Sequence, residues 1–159
     1  MKSCIVMKGC ETSKASSNYC GAIVYVNKGG YVVKPVKLKA RGSQPISQPL
    51  VMNADRKIES NYDGISTKVE NDIAIGQAAQ FIAPGERAYQ MDIYIKGGNH
   101  KDRNLFLVPG CVIEMSTAGT TTSNSWKESV SWSSQAKKAG KSGKVQDPAG
   151  NNCGRQSKM

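Results

Sequence analysis

A glycine-rich break between two β-branched runs sets the terms for this chain. Ala22-Ile23-Val24-Tyr25-Val26 runs into Asn27-Lys28-Gly29-Gly30 and leaves as Tyr31-Val32-Val33. Valine, isoleucine and tyrosine fit a pleated surface, while Asn and Gly supply the backbone freedom of a tight turn. About ninety residues later Gly119-Thr120-Thr121 gives a second turn of the same kind. The segments between them have strand lengths and strand periods.

Residues 31–39 alternate apolar and basic side chains over their second half, the period of a strand with one wet face. Pro35 has no N–H to give a ladder, which puts this strand at a sheet edge or at a bulge. Residues 73–82 have helix-forming alanines, yet Gly76 is central and Pro84-Gly85 closes the run, so a strand is expected. Residues 89–95 alternate strictly at their centre. Gly97-Gly98-Asn99-His100-Lys101-Asp102-Arg103-Asn104 reads as a polar loop, 105–108 and 111–115 as strands split by Pro109-Gly110, and 129–132 as a last strand.

About seven strands without an amphipathic helix of useful length give an all-β fold, a single antiparallel β-sandwich. The 159 residues suit one domain. The expected organisation is an N-terminal arm over 1–20, the sandwich over 21–132 and a basic Gly/Ser/Lys-rich tail over 133–159. By composition that tail is expected to be disordered or ordered by a partner. The arm and the tail are long enough to lie across a neighbouring subunit, so a homo-oligomer is also expected.

The formal net charge is +10, and half of it lies from Lys127 onward, seven basic residues against two acidic. Such an excess attracts phosphates of nucleic acid or anionic lipid. Lys37, Lys39 and Arg41 form a cationic stripe if they share a strand face, to which Lys137, Lys138, Lys141 and Lys144 add a second group. The opposing reading of the stripe is edge protection. The start of the chain lacks the apolar run of a signal peptide, and no stretch has the length of a membrane-spanning helix, so a soluble protein is expected, cytoplasmic as written.

Five cysteines are an odd count for a closed disulfide framework. Disulfides among Cys4, Cys10, Cys20 and Cys153 suit a protein working outside the cell, while Cys111 sits in an apolar run as buried free thiols do. The cysteine spacings are wide and the single histidine, His100, is remote from them, so no metal site and no cofactor are expected. His100, Asp102 and Arg103 have no nucleophile beside them, and no paired carboxylates appear; an enzyme is not expected. Trp126 and Trp132 read as core residues.

The order of Val26-Asn27-Lys28-Gly29-Gly30-Tyr31-Val32, Asn71-Asp72-Ile73-Ala74-Ile75-Gly76-Gln77, Ile82-Ala83-Pro84-Gly85 and Gly119-Thr120-Thr121-Thr122-Ser123-Asn124-Ser125-Trp126 resembles a known β-sandwich. It is similar to the C-terminal, membrane-recognising domain of the thiol-activated, cholesterol-dependent cytolysins, over about residues 22–126. The resemblance implies binding through loops at one tip. The family's sterol-contacting Thr-Leu pair falls on Thr121 and Thr122, with Thr in the Leu position, and its Trp-rich loop falls on the polar residues 97–106. A polar ligand is therefore expected, a glycan, a lipid headgroup or a protein surface, held by Thr120, Thr121, Thr122, Asn99, His100 and Arg103. The other class of function is a capsid-like structural subunit whose basic arm neutralises nucleic acid.

Overall fold

The structure, a computed structural model, describes residues 4–6, 20–40, 50–51, 66–67 and 72–156. The strands are β1 (Cys4–Val6), β2 (Cys20–Asn27), β3 (Lys37–Ala40), β4 (Leu50–Val51), β5 (Ser66–Thr67) and β6 (Gln77–Pro84). They continue with β7 (Arg87–Tyr94), β8 (His100–Leu107), β9 (Cys111–Gly119) and β10 (Asn124–Trp132). A short helix α1 (Ser134–Lys138) and β11 (Gly154–Gln156) follow. The larger sheet has the order β10-β9-β2-β6-β1-β4, with β5 also on β6; the smaller has the order β11-β8-β7-β3. The all-β sandwich is as expected. It has more strands than the turn signals mark, and β2–β9, β1–β6 and β5–β6 pair in parallel.

The core lies between the sheets. Ile23 and Tyr25 of β2, Phe81 of β6 and Ile113 and Met115 of β9 meet Tyr89, Met91 and Ile93 of β7 and Leu105 and Leu107 of β8. Each large side chain removed from water contributes about 1.5–3 kcal/mol. A second buried cluster occupies the other face of the large sheet, from Ala22, Val24, Val26, Ala78, Ile82 and Val112. β2 is therefore buried at every position. Its continuous apolar run, without alternation, is the sequence counterpart of a strand covered on both faces.

Pro35 precedes β3, which among the described strands lies at the sheet edge, bonded to β7. Val33 makes an isolated bridge to both Ile73 and Ile95. Asn27, fully buried at the end of β2, donates from Nδ2 to the carbonyls of Tyr31 and Ile73 at 2.8 and 2.9 Å and accepts from the Gly29 N–H at 2.9 Å.

Two segments differ from their sequence reading. The polar run 97–104 is strand from His100 onward, antiparallel to β7. The alternation is present but carried by charged residues: Lys101 and Arg103 share the face of Leu105 and Leu107, and both lie over the ring of Trp126. The segment 133–156 folds back on the sandwich as α1 and β11. The Ser133 Oγ caps α1 by accepting from the Ala136 N–H at 3.1 Å, its N–H donates to the Gly110 carbonyl, and Ala136 is buried. β11 joins β8, Cys153 is disulfide-bonded to Cys111, and the Arg155 N–H donates to Glu128 Oε1 at 2.9 Å. Gly154 has a φ of +119°, a conformation that strains any residue with a Cβ. Asp147 closes the connecting loop by accepting from the N–H and side-chain amide of Asn151, which holds its carboxyl below the usual carboxylate range. Cys20 is also disulfide-bonded.

Two stability measurements follow from this architecture. Asn27→Ala strands two buried carbonyls and an N–H, and urea denaturation is expected to show a loss of about 2–4 kcal/mol. Cys153→Ser opens a bridge spanning 42 residues of sequence. The chain-entropy account gives about 4 kcal/mol for it, and the amides of β11 should lose their exchange protection before those of β7.

Candidate functional site

Three connections meet at one end of the sandwich, the tip: the turn after β2, the β7–β8 hairpin loop and the β9–β10 hairpin loop. They are joined mainly through backbone. The Lys28 N–H donates to the Thr117 carbonyl at 2.8 Å, the Gly30 N–H to Gly119 at 3.2 Å and the Asn99 N–H to Thr121 at 3.2 Å. The Gly76 N–H donates to the Asn27 carbonyl at 2.7 Å, bringing the 73–76 turn to the same end. Gly98 lies against the Thr121 carbonyl so closely that a Cβ would overlap it.

Within the β9–β10 loop, Thr120 bonds back on Ser123: its N–H donates to the Ser123 carbonyl and its Oγ1 accepts from the Ser123 N–H. Asn124 Nδ2 donates to the carbonyls of Thr120 and Thr121, and Lys101 Nζ donates to Asn124 Oδ1 at 2.6 Å. Thr120 thus shapes the loop, while Thr122 is exposed and Thr121 half-buried. Asn99 is exposed beside them.

The other residues expected at this site part company. His100 begins β8 on the outward face of the small sheet, its ring stacked on Tyr94 at 4.0 Å. Arg103 is on the opposite face of β8, 5.1 Å from the centre of the Trp126 ring, which itself meets Tyr25 edge-on. Burial first, then the charge of Arg155, lowers the Arg103 pKa; burial and Arg103 lower that of Lys101. Tyr25 is held far above the ordinary phenol range by burial, its hydroxyl sharing a hydrogen bond with Thr117 Oγ1. Arg103 is a wall of the sandwich, not part of the tip.

Lys37 and Lys39 lie on the outward face of β3, Lys37 over the Tyr94 ring at 5.9 Å and Lys39 3.4 Å from Asp92. Arg41 lies outside the described residues. Lys137, Lys138, Lys141 and Lys144 are exposed and follow β10 at the end remote from the tip, with Lys141 over Trp132. With nine residues in β10 at about 3.3 Å each, the Thr loop before it and the lysines beyond it stand roughly 25–30 Å apart. The basic tail and the Thr loop therefore do not form one surface.

The sequence reading missed the apolar component of the tip. The exposed large hydrophobic residues among the described ones are Val32, Tyr94 and Ile75, the last 62% exposed, and all three lie at this end. Lys28, Lys34 and Lys96 are exposed around them, Lys96 in an ion pair with Asp72. Ile75 was legible only as one isoleucine of a strand-like run; its place in a turn just before β6 exposes it. Among the described residues, Asp92, His100 and Asp102 form a group whose chemistry suits a metal ion. Among the described residues no helix is long and apolar enough to cross a membrane.

No family model matches the chain, and no curated protein matches it. The solved structures similar to it include one described as "Trapped Toxin" and the crystal structure of the cytotoxin protein suilysin from Streptococcus suis. Each is 14% identical, with a TM-score of 0.41 over 69% of this chain, which spans 23% of the length of either.

A substitution at Gly98 probes the tip directly. Gly98→Ala forces the β7–β8 loop off Thr121, and amide exchange at Asn99 is expected to accelerate at least tenfold while β2 and β6 stay protected.

Proposed function

We propose that this chain is a non-enzymatic recognition module whose tip docks on a membrane surface at the level of the lipid headgroups. The observation that carries this reading is that the exposed large apolar residues among the described ones, Ile75, Val32 and Tyr94, all lie toward the tip, as do the exposed Lys28, Lys34 and Lys96 and the Thr121–Thr122 loop. Exposed apolar residues with a polar rim mark interaction surfaces. Lysines near anionic headgroups contribute about 1 kcal/mol each, and threonine hydroxyls can hydrogen-bond phosphate or sugar oxygens. The disulfide between Cys111 and Cys153 and the second one at Cys20 fit an oxidising, extracytoplasmic setting.

Co-sedimentation with vesicles of phosphatidylcholine and phosphatidylserine tests it. Ile75→Asp, at a position too exposed to hold the fold, is expected to weaken binding about tenfold, the equivalent of about 1.4 kcal/mol. Replacing Lys137, Lys138, Lys141 and Lys144 by alanine should leave most of the binding in place. The reverse pattern, tolerance of Asp at 75 and loss with the four alanines, would reject tip docking and favour phosphate neutralisation by the remote basic end.

A further inference from the structure

The outward face of the small sheet carries a cluster that the tip does not use. Asp92 of β7 stands directly across the ladder from Asp102 of β8, and His100 is one outward position nearer the tip. The potential ligand atoms of the three lie within 4.8 Å of one another. His100 Nε2 is 4.0 Å from Asp92 Oδ1, and its imidazole is stacked on the Tyr94 ring at an interplanar angle of 4°.

Like charges directly opposite on neighbouring strands destabilise a sheet. The face answers this only in part. Asp92, buried to a side-chain exposure of 7%, receives Lys39 Nζ at 3.4 Å on Oδ2 and Gln90 Nε2 at 3.1 Å on Oδ1. Among the described residues Asp102 makes no ion pair. A cation between the two carboxylates would neutralise both.

We infer that Asp92, His100 and Asp102 form a binding site for a divalent transition cation of the zinc class. One imidazole nitrogen with two carboxylate oxygens suits such an ion, whereas calcium and magnesium favour oxygen donors throughout. Ligand atoms of a tetrahedral zinc stand about 3.3–3.6 Å apart, given metal–ligand bonds of about 2.0–2.2 Å. Side-chain rotation of the exposed His100 and Asp102 closes that gap while Asp92 stays in place. Three protein ligands leave the fourth position to water or to an exogenous donor atom. Lys39 competes with the ion for Asp92, so the ammonium is displaced on binding. Metal here would also clamp β7 to β8 immediately below the loop that places Asn99 against Thr121.

His100 is the single histidine of the chain, so its ring signals report on this site alone. Zinc chloride titrated into the full chain, followed by NMR of the imidazole carbons and protons, is expected to shift those signals with one-to-one saturation. Asp102→Asn, a change at an exposed position, should weaken zinc at least tenfold, and Lys39→Ala should tighten it severalfold. Ring signals that stay put in tenfold excess zinc would overturn the assignment. So would an affinity that neither Asp102→Asn nor Lys39→Ala changes, since that marks zinc on the imidazole alone.

Discussion

The tip of this sandwich depends on one buried amide. Asn27 has no exposed surface, yet it bonds Tyr31, Ile73 and Gly29 through its side chain and receives the Gly76 N–H on its backbone carbonyl. A polar group in that position is costly unless satisfied. Satisfied as it is, it specifies how the end of β2 meets two segments that strand pairing leaves free. Val33 extends the frame by bridging Ile73 and Ile95, and Gly30 carries it to Gly119. The hairpin loops are thereby hung from the central strand.

Much of the fold was legible in side-chain period. The apolar run of β2, the alternation in β7 and the Pro35 mark of an edge each correspond to an observed element. Legibility fails where the buried face is built from charged residues. β8 opens with His-Lys-Asp-Arg-Asn, and hydropathy alone reads that as loop. Lys101 and Arg103 are tolerated facing the other sheet because their charged heads lie over the Trp126 ring and the Lys101 ammonium also donates to Asn124 Oδ1. The same register also put Asp92 opposite Asp102, a relation that needs the hairpin length before it can be read. The segment after Ser133 fails for another reason: Ala136 and Cys153 anchor it, and neither stands out in a composition of Gly, Ser and Lys.

The candidate site was legible in its loops and not in its make-up. The Gly-Thr-Thr motif marks the β9–β10 connection, and Asn99 does meet Thr121 through its N–H. Arg103 was drawn to the same surface only by proximity in sequence; on a strand, three residues from His100 is an odd step and lands on the opposite face. Ile75, which the apolar pattern assigns to a strand interior, is exposed because Gly76 bonds back to Asn27 and turns the chain there.

The two ends of the molecule are held by different physics. At the base, a disulfide, a helix cap and the Glu128–Arg155 hydrogen bond fasten a segment of low hydrophobicity that apolar burial alone would hold weakly. At the tip, the loops are ordered mainly by backbone hydrogen bonds between neighbouring connections, with the Asn124 side chain spent on holding Thr120 and Thr121. That arrangement leaves Ile75, Val32 and the Thr122 side chain exposed at the surface. A surface whose framework is already ordered loses less entropy on docking than a flexible one. Gly98 belongs to the same framework: the close approach it permits to Thr121 packs the β7–β8 and β9–β10 loops against each other.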